Sequence, residues 1–458
     1  MEYTKKLADF CTSLEYKEIP PEIISKAKQC LLDWIGIVLR ASIHPQGIKI
    51  GGFVKKIRSI KCSTLLGFDF KASPMDAAFV NGTLTEILEL QDGTAIGGGH
   101  PSSSVIPAAV AIAEKEGSNG RDLITSIVVG YEAMIRVGRA MHPSHLWRGF
   151  LATGTVGTIG SAVAVGKLLK FDSKLMENAI GIAGFLTPVC TGDNLWGGYT
   201  CKPIHGGQAA KTGIECAWLA EIGFTGCPLE GGPRKKGFCN ILSDNPNLES
   251  MVEELGRKYM LNYHYFKPYA CCRIAHPSVE GALNLVQKYD LKPEDIIKVN
   301  IRTYDFAAST LGQAYTNIMS GFNYCQFSIP YAVAVAVIDR HVNPEQFSEQ
   351  RVNDFNLHEF AKKVTVIEDS SLNLFPEKRP AIIEIETKTN KFSCRVDYPK
   401  GDYRNPLSEE ELIEKFKVNS KFVLDVKKIE KLIVMIREIE SIENISKIFR
   451  LTQKRHKS

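Results

Sequence analysis

Long hydrophobic runs are missing from this chain. Its longest, residues 179–190 and 329–338, have the length of buried helices and fall short of the ~18 to 20 residues that span a bilayer. No Cys-x-x-Cys pair occurs among the 12 cysteines, and adjacent Cys271 and Cys272 suit a tetrahedral zinc site poorly. The first residues are charged and lack the apolar core of a secretory signal. The cysteines are therefore expected to be thiols in a reducing cytoplasm. Charge of one sign is also scarce: 56 Lys+Arg against 51 Asp+Glu leaves a net +5. No basic block carries interleaved aromatics, which argues against nucleic acid as a partner; nor is a membrane expected. The basic stretches 234–236 and 454–457 read as solvated surface. A phosphate loop, a Gly-x-Ser-x-Gly elbow, a dinucleotide fingerprint and a pyridoxal-phosphate cue are all missing.

What is present is a long chain with an ordinary globular composition. It has 458 residues, 44% of them hydrophobic and 23% charged, enough for two or three domains and a large core. Apolar residues recur at helical spacing behind Pro20-Pro21 and again over about 74–90, 101–116, 120–141, 152–169, 173–187 and 204–222. Several of these runs are rich in Ala and Gly, which lets helices approach closely. A short strand is expected at 65–67. After residue 267 the character changes. Helices are expected at 277–289 and 328–340, and period-two alternation at 297–303, 363–367, 381–387 and 392–396 predicts strands. Ser408 with Glu411 forms a capping box that returns the chain to helix, and 426–449 reads as helical and amphipathic. The expected class is mainly α, a large all-helical domain with a smaller α+β lid domain. The expected divisions are 1–266, 267–402 and C-terminal helices at 403–458 that pack back on the first domain.

Glycine- and proline-rich junctions beside these helices are where chemistry is expected, because loops at helix mouths line pockets. In Glu89-Leu-Gln-Asp92-Gly-Thr94-Ala-Ile-Gly-Gly-Gly-His100-Pro, Asp92 and His100 can converge across the loop. A carboxylate beside an imidazole raises its pKa and orients it for general base work; the alternative is helix capping by Asp92. In His142-Pro-Ser-His145-Leu-Trp-Arg148, followed by Thr153 and Thr155, the two histidines lack a third metal ligand, and ordinary loop residues are the favoured reading. Hydroxyls at that helix start can nevertheless bind a carboxylate. Lys202-Pro-Ile-His205 places a lysine just before a helix, within reach of an anion there. Lys267-Pro-Tyr-Ala-Cys271-Cys272-Arg273-Ile-Ala-His276 crowds cations and proton carriers at the domain boundary. Arg273 and Lys267 can hold carboxylates there. Cys272, its thiolate favoured by those cations, or His276 can carry a proton. His44, His264, His341, His358 and His456 read as surface or structural. Fixed cations beside proton carriers suit removal or delivery of a proton next to a carboxylate, where the developing negative charge needs stabilising.

At these residues the sequence resembles the MmgE/PrpD family, whose activities include 2-methylcitrate dehydratase, cis-aconitate decarboxylase and iminodisuccinate epimerase. The markers run in order over nearly the whole chain: Leu31-Leu-Asp-Trp-Ile-Gly, Asn81-Gly, Asp92…His100-Pro with Val105-Ile-Pro-Ala-Ala, Gly130-Tyr-Glu, Gly154-Thr-Val-Gly, Lys202-Pro-Ile-His-Gly-Gly, Lys267-Pro-Tyr-Ala-Cys-Cys-Arg and Phe327-Ser-Ile-Pro-Tyr-Ala-Val-Ala. The resemblance implies an all-helical domain with an α+β lid over a cleft, a homodimer, a small polycarboxylate substrate, and neither metal nor organic cofactor. It carries His100, Lys202 and Lys267 over as site residues. Asp92, Cys272 and His276 complete the expected catalytic set; Thr94, Arg148, Thr155, His205 and Arg273 are expected to bind substrate. Two positions depart from decarboxylase-like members: they have histidine where this chain has Leu151 and Cys272. The expected activity is a dehydratase-type lyase. An iminodisuccinate-type epimerase, a cis-aconitate decarboxylase-like enzyme and a non-catalytic carboxylate binder are the alternatives.

Overall fold

A computed structural model describes residues 2–57, 60–315 and 321–454. His456 and most of the basic tail lie outside these residues. The helices Pro74–Ile87, Pro101–Glu116, Gly120–Met141, Thr155–Leu168 and Ile204–Glu221 pack against one another around the largest part of the core. Proline at the first turn and side-chain caps start them where the sequence suggests. Ser73 Oγ accepts the Asp76 N–H ahead of Pro74, and Asn119 accepts the Asp122 N–H. Small residues set how close the helices come. A Cβ on Gly82 would lie 2.8 Å from Gly207 Cα, and one on Gly206 would lie 3.2 Å from Glu86 Cγ. This contact draws the C-terminal end of Pro74–Ile87 onto the N-terminal end of Ile204–Glu221, which later carries the site's charge.

The second part is built on a four-stranded sheet in the order Val364–Glu368, Ile296–Thr303, Ala381–Thr387, Lys391–Val396. The first pair is parallel and the others are antiparallel. Ala381, Ile383 and Ile385 are buried while Ile382, Glu384 and Glu386 face outward. His276–Lys288 and Ile329–Asp339 pack against the sheet. Mainly helix with a smaller α+β portion is thus the observed class. A two-stranded pairing of Gly93–Thr94 with His264–Tyr265 ties the helical part to the approach of the second. The C-terminal helix Glu409–Ser420, opened by the Ser408/Glu411 capping box, lies along Pro21–Ser42 and buries Phe416 against Gly36.

Two local expectations fail for identifiable reasons. The strand is Ser63–Thr64, paired with Lys71–Ala72, rather than 65–67. The Leu66 N–H donates to Asn81 Oδ1 at 3.2 Å, and Phe68 N–H turns back to the Leu65 carbonyl. The tail is not one helix: Val426–Arg437 ends, and a 3-10 turn precedes Ser446–Phe449. Its backbone is claimed instead by the 118–120 turn, with Gly120 N–H on the Ile442 carbonyl at 2.8 Å and Ile445 N–H on the Ser118 carbonyl at 3.0 Å. No helix among the described residues is long and apolar enough to cross a membrane.

Candidate active site

A cavity of about 120 Å³ opens where the helical part meets the α+β part. Its wall takes residues from the 89–100 loop, the 142–153 turn, the 195–205 segment and the 265–274 boundary, together with Phe327 and Arg379. Among the sequence-predicted residues, Thr94, His100, Lys202, His205, Lys267, Cys272 and Arg273 all line it.

The charged centre is a carboxylate the sequence reading passed over. Glu89 follows the end of Pro74–Ile87 with φ of 50°, a conformation that costs a non-glycine residue on the order of 1 kcal/mol. In that conformation one carboxylate oxygen meets Lys202 Nζ and the other meets Lys267 Nζ at 2.8 Å. Lys202 also reaches Glu86 Oε2 at 2.6 Å, and His205 Nε2 lies 3.2 Å from the same oxygen. Lys267 is fully buried and Lys202 almost so. Burial lowers the Lys202 ammonium below the ordinary lysine value, against the pull of Glu86. Burial would raise Glu86, but Lys202, then His100 and His205, hold it well below the usual carboxylate range. From behind, Lys415 of the C-terminal helix donates to the Leu90 carbonyl at 2.9 Å and pairs with Asp33 at 2.8 Å, fixing the residue next to Glu89.

His100 does meet Asp92, but through the main chain. Its Nδ1 lies 2.6 Å from the Asp92 carbonyl oxygen. A carbonyl can only accept, so Nδ1 carries the proton and the neutral ring has its lone pair on Nε2. The Asp92 carboxylate is turned away. It accepts from Tyr131 OH at 2.8 Å and Ser102 N–H at 3.0 Å, and it does not line the cavity. The expected carboxylate–imidazole pair is therefore corrected: Asp92 shapes the loop, and its charge does not raise the His100 pKa. Burial, then Lys267, lowers that pKa to about 4.

Three further placements differ from expectation. Arg148 leaves the cavity for the surface, where its Nη1 pairs with Asp244 at 2.9 Å, because the Ser144–Trp147 turn carries it outward. Thr155 sits behind the wall with Oγ1 2.9 Å from His145 Nε2. His276 is fully buried against the Cys271 carbonyl and Arg273, outside the lining. Burial, then Arg273, pushes its pKa well below the ordinary value, so it holds no imidazolium to donate. Arg273 lines the cavity but is paired with Asp402 at 3.2 Å and lies over the Tyr265 ring. His264 and His358 are buried against main-chain carbonyls and are structural.

The sequence reading also missed His142, His145, Trp196, Tyr265 and Arg379, which all line the cavity. The His-x-x-His spacing marks the two histidines, but without a third metal ligand they read as ordinary loop residues. Burial lowers them to about 3 and about 4. Among the described residues no group of three His, Cys, Asp or Glu side chains is placed to hold a metal ion.

Cys272 lines the cavity with 8% of its surface exposed. Its expected thiolate is not supported, since burial raises the thiol above its usual value and outweighs Lys267. A protonated thiol can give a proton. Cys272→Ser is expected to abolish any inversion of configuration while leaving proton exchange through His100, checked by NMR on single enantiomers in D2O. A lowered melting temperature with unchanged turnover would instead make Cys272 a packing residue.

Known proteins resemble the chain over nearly its whole length. The profile of the MmgE/PrpD N-terminal domain matches residues 5–251, and that of the MmgE/PrpD C-terminal domain matches residues 269–441. A cis-aconitate decarboxylase from Mus musculus is 28% identical, with 98% of this chain and 93% of the mouse protein covered. The Homo sapiens cis-aconitate decarboxylase is 27% identical over 97% of this chain and 93% of its own. An Aspergillus terreus cis-aconitate decarboxylase is 25% identical over 98% and 95%. With both domain profiles matched in order across most of its length, the chain belongs to the MmgE/PrpD family.

Proposed function

We propose that the protein is a lyase of the 2-methylcitrate dehydratase type, acting on a small di- or tricarboxylate with proton transfer by its own side chains. One observation carries this reading. A neutral His100 with a free Nε2 lone pair shares a small buried cavity with the Lys202 and Lys267 ammonium groups. His100 Nε2 takes the proton α to a carboxylate, and the electron pair spreads into that carboxylate beside the ammonium groups. The β C–O bond then breaks. The departing hydroxide takes a proton from Lys202, whose lowered pKa makes it a readier donor, and leaves as water.

Two other outcomes use the same cavity: epimerisation starts from the same proton removal, whereas decarboxylation releases CO2 and needs a proton delivered to carbon. The activity of the relatives favours loss of CO2 from cis-aconitate. Against it, Leu151 and Cys272, the positions that depart from decarboxylase-like members, both line the cavity. Cys272 favours epimerisation, because a protonated thiol and a neutral imidazole in one cavity form a donor–acceptor pair. Incubation with 2-methylcitrate, cis-aconitate and iminodisuccinate in D2O, followed by NMR and mass spectrometry, separates them. Loss of water is expected. Loss of CO2, or deuterium gain without net change, would replace dehydration by the corresponding alternative. No change across the panel with folded protein would sink the enzyme reading.

A further inference from the structure

Four cationic side chains line the cavity: Lys202, Lys267, Arg273 and Arg379. The first three are already paired, with Glu86 and Glu89, with Glu89, and with Asp402. Arg379 is different. Among the described residues it makes no ion pair and donates no hydrogen bond, and its buried Nε has no partner. A small cleft on its other side holds Asp397 and Asp402, but Arg395 takes the first, and Arg273 and Arg404 take the second. What fixes Arg379 is apolar: its guanidinium lies 5.3 Å from the centre of the Phe375 ring, which stacks on Tyr304 and Phe306 and meets the His142 ring edge-on. A planar fork of donors held on an aromatic platform, facing a cavity and lacking an anion, is preorganised for a carboxylate.

We propose that Arg379 is the substrate-carboxylate anchor supplied by the α+β part, gripping a carboxylate remote from the carbon that loses its proton. This deepens the proposed function and rests on it. The segment carrying Arg379 precedes the strand Ala381–Thr387, so the anchor belongs to the sheet, whereas His100 and Lys202 belong to the helical part. One substrate then bridges both parts, and an acid without a second carboxylate cannot.

Titration calorimetry of the full chain with propane-1,2,3-tricarboxylate, citrate and succinate tests this on wild type, Arg379→Ala and Arg379→Lys. The alanine variant is expected to weaken binding by roughly 10- to 100-fold, the range for a lost charge-assisted pair. Lysine should recover part of the loss, since it keeps the charge without the fork. The melting temperature without ligand should stay near that of wild type, because among the described residues Arg379 has no ion pair or hydrogen bond to lose, only its contact with the Phe375 ring. Unchanged affinity in Arg379→Ala while wild type binds, with or without a lowered melting temperature, overturns the anchor and leaves the guanidinium a packing partner of Phe375. Failure of wild type to bind any of the three acids overturns the polycarboxylate reading, and the anchor with it.

Discussion

Glu89→Ala is expected to lower folding stability by about 3–5 kcal/mol, the range for breaking a buried ion pair by removing one partner. Glu89 is 1% exposed and serves two ammonium groups at once. Its removal leaves Lys267 buried with no counter-charge, while Lys202 keeps Glu86. The loss should therefore trace mainly to Lys267. Adding Lys267→Met to Glu89→Ala should recover much of the stability, because the stranded charge is removed, though not the activity. Urea unfolding of the three proteins measures this. A single-variant loss below about 1 kcal/mol, the scale of an exposed pair, would mean that water reaches the ammonium groups. Alanine also inherits the left-handed backbone at this position, so the Glu89→Gln variant serves as a control that keeps the side chain's shape.

This carboxylate shows how far the sequence could be read. Periodicity, proline and caps placed Pro101–Glu116 and Gly120–Met141 because those signals are local to the chain. The basic and imidazole residues were legible for a similar reason: Lys202, His205, Lys267 and His100 stand at junctions rich in glycine and proline. Glu89 stands in the same loop, three residues before Asp92. Which acid faces inward depends on a left-handed residue at 89 and on Tyr131 and Ser102 drawing Asp92 away. Those contacts come from other helices, and no spacing rule reports them. Arg379 was hidden differently. It stands in a charged stretch, Glu377-Lys378-Arg379, that reads as solvated surface, and only the stacking of Phe375 on Tyr304 and Phe306 turns it inward. His276 failed in the opposite direction: its neighbours advertised chemistry, but the 3-10 turn Arg273–Ala275 ahead of its helix buries the ring.

His100→Ala is expected to lower kcat by about 10²-fold or more, the scale for losing a positioned general base. The pH profile separates this role from a structural one. The imidazole must be neutral to accept a proton, and burial, then Lys267, holds its pKa at about 4, below the ordinary 6.5. The neutral fraction therefore stays near unity as pH falls through 6.5 and drops only near 4. Wild-type kcat/KM should keep its value through that window, with the His100 limb near 4. Stability moves in the same window with its own sign. A histidine whose folded pKa is depressed contributes stability that is present above the unfolded value and is lost as pH falls through about 6.5 toward 4. Since His44, His142, His145 and His264 are depressed as well, circular dichroism must accompany each rate. Lys267→Met removes the second cause of the shift and should move the limb upward from about 4. An acid limb already at 6.5 in folded wild type, or a His100→Ala enzyme within about threefold of wild type, would remove His100 from the proton step.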